Sequence, residues 1–166
     1  VRSLAKSVAG KAVAQDRRQI FQQYKEVASM SGSPAHGKEL FVKNCAVCHE
    51  MEGAGHAVGP NLAAMVSRGM ESVLFNVLVP NGEVDPRFTE YVLLTSDGEV
   101  LTGVIAGETS NAVTLRGAEG KTNTVLRVDI EELKGTGKSL MPEGFEKTID
   151  KQAMADLLCY LKQSAT

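Results

Sequence analysis

The sequence predicts an α+β fold, with helices toward both ends and an antiparallel β meander between them. Two observations predict it. Apolar residues recur three and four apart in the first half and after residue 149, whereas residues from about 87 to 133 read as short strands separated by turn residues. Over 166 residues, 43% are apolar and 23% charged, the composition of a globular chain rather than a disordered one.

Ile20, Tyr24 and Val27, with Phe21 and Ala28 beside them, predict a helix from about Ala12 to Ser29. Its basic excess (Arg2, Lys6, Lys11, Arg17 and Arg18 against Asp16) reads as a solvated face. Ser31-Gly32-Ser33-Pro34 breaks that helix and reads as a linker. A second helix is expected from about His36 to Cys45, with Gly37, Leu40, Phe41 and Asn44 on neighbouring faces. Gly53, Gly55 and Gly59 make residues 51–60 a loop. A third helix runs from Met70 to Val79 and stops at Pro80-Asn81-Gly82.

The meander begins with Tyr91–Thr95, turns at Ser96–Glu99 and returns along Val100–Ile105. Thr109–Asn111 and Gly117–Gly120 turn on either side of Ala112–Arg116. Thr124–Val128 is a fourth strand, and Asp129–Leu133 a short fifth element. A last helix covers about Asp150 to Gln163. Ile149, Ala153, Leu157 and Leu161 recur every four residues with Tyr160 on the same side, and Cys159 faces a more polar side with Gln152 and Asp156.

Eighteen Lys and Arg against twenty Asp and Glu leave a net charge of −2, which argues against a nucleic-acid partner. No apolar run approaches the length of a membrane span. The three cysteines, Cys45, Cys48 and Cys159, are odd in number, which argues against a disulfide framework. Aromatics are 5% and Trp is absent, so part of the core volume is expected from a cofactor.

Cys45-Ala46-Val47-Cys48-His49 is C-x-x-C-H, the attachment signature of a c-type haem. Two thiols on one helical turn reach both vinyl groups of one porphyrin as thioethers, and the adjacent histidine is aimed at the iron. The competing readings are a redox C-x-x-C and half a zinc site. The first would follow a strand and open a helix, whereas this motif closes one. The second lacks further ligands at suitable spacing, since only Cys159, His36 and His56 remain.

A sixth ligand is drawn from Met30, Met51, Met65, Met70, Met141, Met154, His36 and His56. Met141 stands out in Ser139-Leu140-Met141-Pro142-Glu143-Gly144, where Pro142 holds the chain extended. Met65 is the alternative, and Met154 reads as core. Glu143 and Glu146 read as solvated. Leu62, Met65, Val66, Leu74, Val77 and Leu78 are candidate pocket wall or ordinary helix packing. Gly135–Ser139 ends like a P-loop, but Glu132 stands where that pattern needs glycine, so a flexible loop leading to Met141 is expected.

Gly37-Lys38-Glu39-Leu40-Phe41, the C-A-V-C-H run, Gly59-Pro60-Asn61-Leu62 and the last helix resemble class I cytochromes c. The resemblance implies a mostly helical class I fold with the β meander inserted between the haem-attachment half and the Met-ligand loop. It implies that the Pro60 carbonyl accepts a hydrogen bond from His49, and that the last helix crosses the helix containing Gly37. The span from Ala35 to Leu161 is similar to the haem-binding cytochrome c domain described in Planctomycetes and Verrucomicrobia, through V-G-P-N-L, D-G-E-V-L-T-G, D-I-E-E-L, S-L-M-P-E-G and D-L-L-C-Y-L. It implies residues 1–33 as an N-terminal helical segment and linker, and 34–166 as a haem domain with an insertion at about 87–133.

The function so implied is one-electron transfer by one haem c bound through Cys45 and Cys48, with His49 and Met141 as axial ligands and exchange at an edge near Cys45, Val47 and the Met141 loop. Cofactor contacts are expected at Cys45, Cys48, His49, Pro60, Leu62, Met65, Leu74 and Met141. The rival is a ligand-binding sensor or peroxidase-like enzyme with an open sixth position; no His/Arg acid–base pair stands by Met141 to support it. Expected partners are a redox protein or an upstream dehydrogenase-like domain of a larger chain, with dimerisation through Cys159 or the N-terminal helix. The resemblance places the protein in the periplasm or otherwise outside the cytoplasm.

Overall fold

The computed structural model describes residues 16–165. Helices and a β-sheet are both present, as an α+β class requires. The chain divides into two compact units, one formed by residues up to Glu39 with Ala63–Glu83 and the segment from Pro142, the other by Leu40–Leu62 and Val84–Met141.

In the helical unit, α1 (residues 16–24) runs into a tight 3-10 turn, Lys25–Ser29. The expected start at Ala12 lies outside the described residues, as do Arg2, Lys6 and Lys11. Phe21 is buried and meets Phe75 of α4 (Met70–Leu78) edge to face, with ring centroids 5.2 Å apart. Arg17 corrects the expected solvated face. It is buried, its Nη1 donates to Glu146 at 2.9 Å, and its Nε lies 3.6 Å from Glu143. Asn81 Nδ2 donates to the same Glu143 at 2.7 Å. A buried guanidinium needs acceptors, so Glu146, expected in solvent, serves it instead, while Glu143 stays exposed as expected and reaches it from the surface.

The Ser31–Pro34 stretch is likewise docked rather than a free linker. Ser33 N–H donates to Asp156 at 2.7 Å, Gln152 Nε2 donates to the Ser31 carbonyl at 3.1 Å, and a Cβ on Gly32 would fall 2.5 Å from the Ala155 carbonyl oxygen. These partners sit on α5 (Lys151–Ser164), which Asp150 caps by accepting from Ala153 N–H at 2.8 Å. Every residue from Met154 to Leu158 is buried, so Asp156 faces no solvent, contrary to its expected polar side. Its carboxylate also takes His36 Nδ1 at 2.7 Å and Gln152 Nε2 at 3.1 Å. Burial pushes its pKa up, but the hydrogen bonds from His36, Ser33 and Gln152 outweigh that and hold it below the usual carboxylate value. Gly37, in α2 (Pro34–Asn44), permits a close crossing: a Cβ there would lie 2.0 Å from the Asp156 carbonyl oxygen and 2.8 Å from Tyr160 Cβ. The short α3 (Leu62–Val66) precedes α4.

The second unit opens on the end of α2 and a two-residue hairpin, β1 (Glu50–Met51) and β2 (Ala54–Gly55). Its main sheet contains β3 (Thr89–Thr95), β4 (Val100–Glu108), β5 (Ala112–Arg116), β6 (Thr122–Leu126) and β7 (Ile130–Ser139), in the order β6-β5-β4-β3-β7, antiparallel throughout. The four-strand meander is therefore completed by a long fifth strand, not a short element. Gly135–Ser139, expected as a flexible loop, is its second half. Tyr91 explains this: Gly135 pairs with it and its ring lies 3.3 Å from where a Gly135 Cβ would sit.

The sheet is rolled. Residues 127–129 alone join its two edge strands, a reach of at most ~14 Å, whereas five flat strands span ~19 Å. Arg127 N–H donates to Asn111 O at 2.8 Å and Ser96 N–H donates to Asp129 O at 2.9 Å. That corner thus holds turns at opposite ends of β4. Straight, β4 would part them by ~26 Å. It bends at the register shift between Ile105 and Gly107, pairing first with β3 and then with β5. The interior so formed is one apolar core of Leu93, Val113 and Leu115, with Tyr91, Leu101, Ile105, Val125, Ile130 and Leu133 against it.

Candidate functional site

The helical hydrogen bonding of α2 continues past Asn44. Cys45 N–H donates to Phe41 O at 2.8 Å, and Cys48 and His49 N–H donate to Cys45 O at 3.0 and 2.9 Å. Cys45, Cys48 and His49 therefore share one final turn, as the motif spacing requires. Both thiols are free and partly buried. Burial, with Cys48 nearby as the lesser cause, pushes the Cys45 thiol up to about 12, and burial raises Cys48 as well. Among the described residues no group of three or more His, Cys, Asp or Glu is arranged to hold a metal ion.

The loop that follows is built around His49. Glu52 and Gly53 both take positive φ, 51° and 75°, the backbone that turns β1 into β2. Val58 and Gly59 N–H both donate to Cys48 O, at 3.0 and 2.7 Å. A Cβ on Gly59 would fall 2.4 Å from His49 Cε1, so the imidazole lies directly against this glycine's backbone. His49 is only 8% exposed, and its Nδ1–H donates to the Pro60 carbonyl at 3.0 Å. That bond fixes the tautomer and leaves the Nε2 lone pair for a metal. Burial lowers the His49 pKa, with the Pro60 bond opposing, so the ring is held neutral as a ligand must be. Two free cysteines and one buried, oriented, neutral imidazole on a single turn fit a covalently bound haem.

Met141 lies in the same unit, directly after β7. It is partly buried, its N–H donates to Ser139 Oγ at 3.1 Å, and Leu140 N–H reaches Phe88 O at 3.5 Å. Leu62 is partly buried at the start of α3. Met65 and Leu74 belong to the helical unit, where Met65 is partly buried and Leu74 wholly buried. Met154 is wholly buried, as a core residue is, and Met51 is buried. His36 is engaged by Asp156, and His56 is exposed beside Gly120. Cys159 is a free, partly buried thiol.

Two contacts to the attachment loop carry no local sequence signal. Glu119 N–H donates to Val47 O at 2.8 Å, and Arg116 Nη1 donates to Ala57 O at 3.0 Å. Both come from the β5–β6 hairpin, about seventy and sixty residues along the chain.

Residues 34–86, about a third of the chain, match the family model described as Cytochrome c. The matched stretch holds Cys45, Cys48, His49 and Pro60, and with their geometry it supports a class I c-type cytochrome domain that carries haem c for electron transfer.

Proposed function

We propose that the protein is a one-electron carrier with a single haem c joined to Cys45 and Cys48, ligated by His49 and Met141, and that it serves as the redox module of a larger protein outside the cytoplasm. The observation that carries this reading is the His49 Nδ1–H bond to the Pro60 carbonyl within an intact C-x-x-C-H turn. When bound, the haem supplies a reversible ferric/ferrous couple. Cys45 and Cys48 fix its position, and the Pro60 carbonyl raises the basicity of His49 and prevents the ring from rotating. Met141 offers a soft thioether, which favours the ferrous state and raises the potential. Small transient contacts with a redox partner suit such exchange.

Optical spectra of the ferric and ferrous protein test this, with Met141→Ala and Met65→Ala beside the wild type. The expected result is a low-spin haem with the weak long-wavelength ferric band of methionine ligation, lost in Met141→Ala and retained in Met65→Ala. A high-spin wild type that binds exogenous ligands readily would overturn the Met141 ligation and favour a sensor or peroxidase-like role.

A further inference from the structure

We propose that the β5–β6 hairpin is a positioning clamp for the haem-attachment loop, with Arg116 and the Glu119 amide as its two grips; this rests on the haem reading above. The grips bracket the motif. Glu119 N–H holds the Val47 carbonyl, between the two cysteines, at 2.8 Å, and Arg116 Nη1 holds the Ala57 carbonyl, at the far end of the loop, at 3.0 Å. Between them Gly120 lies beside His56, with a Cβ position 3.4 Å from its Nδ1.

Ala57 is the residue before Val58 and Gly59, whose amides converge on the Cys48 carbonyl, and Pro60 follows with the carbonyl that orients His49. Arg116 therefore acts on the imidazole through one short, continuous run of backbone. The grips are themselves fixed by the sheet. A Cβ on Gly103 would fall 2.6 Å from the Arg116 carbonyl oxygen, so the bare backbone of β4 sets how closely β5 approaches. Glu119 takes φ 58°, a left-handed conformation uncommon outside glycine, at the residue whose amide meets Val47. Its side chain pairs outward with Lys121 at 2.6 Å, so the backbone amide is the inward group. The rolled sheet on this reading is part of the haem site, holding the loop that orients His49.

The test uses the purified holoprotein and the variants Arg116→Ala and Arg116→Lys, with Glu119→Gly as the control that keeps the amide. Covalent haem content, the electron paramagnetic resonance g-values of the ferric form, and amide exchange at Val58 and Gly59 are measured. Arg116→Ala is expected to keep full haem content, to shift the g-values through a reoriented imidazole, and to speed exchange at both amides about tenfold, the loss of one hydrogen bond. Arg116→Lys and Glu119→Gly stay near wild type. A wild-type exchange rate and unchanged g-values in Arg116→Ala would overturn the clamp. Absence of covalent haem from the wild type would instead defeat the haem reading, and the amide-exchange comparison would still decide whether the hairpin holds the loop.

Discussion

The attachment segment, residues 45–60, and the stretch that ends in Met141 are held by different means. In the first, the cysteine turn, the Cys48 carbonyl and the Pro60 carbonyl find their partners within one loop. In the second, Ser139 is a local partner for the Met141 amide, but its position comes from β7, which pairs along β3 far back in the chain. Local partners let a motif specify both a residue's identity and its orientation. Distant partners leave the residue type visible and its placement dependent on the whole sheet.

The largest effect expected is at the attachment turn. Cys45→Ser with Cys48→Ser removes both thioether sites, and covalent haem, read as haem stain surviving a denaturing gel, should vanish. Retention of stain would break the comparison at its root. Gly59→Ala comes next. It drives a methyl to within 2.4 Å of His49 Cε1, and the overpacking should cost about 2–3 kcal/mol in urea unfolding. The ring or the loop must give way, so the ferric spectrum should change with it.

What was legible in the sequence follows the same division. Cys45, Cys48, His49 and the helices around residues 36–45, 70–79 and 150–163 follow from spacing and turn residues, all of them short-range. The Arg17–Glu146 and His36–Asp156 pairs were not. Each joins residues more than a hundred positions apart, and a charged residue on an amphipathic pattern looks solvated until its partner is known. Gly135-Thr136-Gly137-Lys138 reads as loop because glycine and lysine disfavour strands. In the fold it is half of an edge strand, where lysine guards the open edge and Tyr91 covers Gly135. The grip of Arg116 on Ala57 is invisible for the same reason.

The helical unit supplies a sharper case of a distant network. Asp156→Asn leaves one oxygen to serve Ser33, His36 and Gln152, and should cost about 1–2 kcal/mol near neutral pH. The Asp156 pKa is depressed in the fold. Its contribution is therefore present above the unfolded carboxyl value of about 3.9 and fades as pH falls through the lower folded value. The gap between wild type and variant, measured by denaturant melts, should be full at pH 6 and close below pH 4. A gap that persists in acid would mean that packing, not the carboxylate, carries the effect.

Ser139→Ala is the smallest perturbation and the most direct comparison of the two segments. It removes the hydroxyl that accepts from the Met141 amide and leaves Thr89↔Ser139 pairing and the Leu140–Phe88 bond in place. One part-buried hydrogen bond is worth about 0.5–1 kcal/mol, so global stability should barely move. If local contacts hold Met141 as they hold His49, the variant's ferric haem should bind added imidazole about two- to fivefold more tightly, the same free energy read at the ligand. If the register of β7 alone sets Met141, imidazole affinity should stay at the wild-type value, and the ligand's position is then a property of the sheet rather than of the sequence around it.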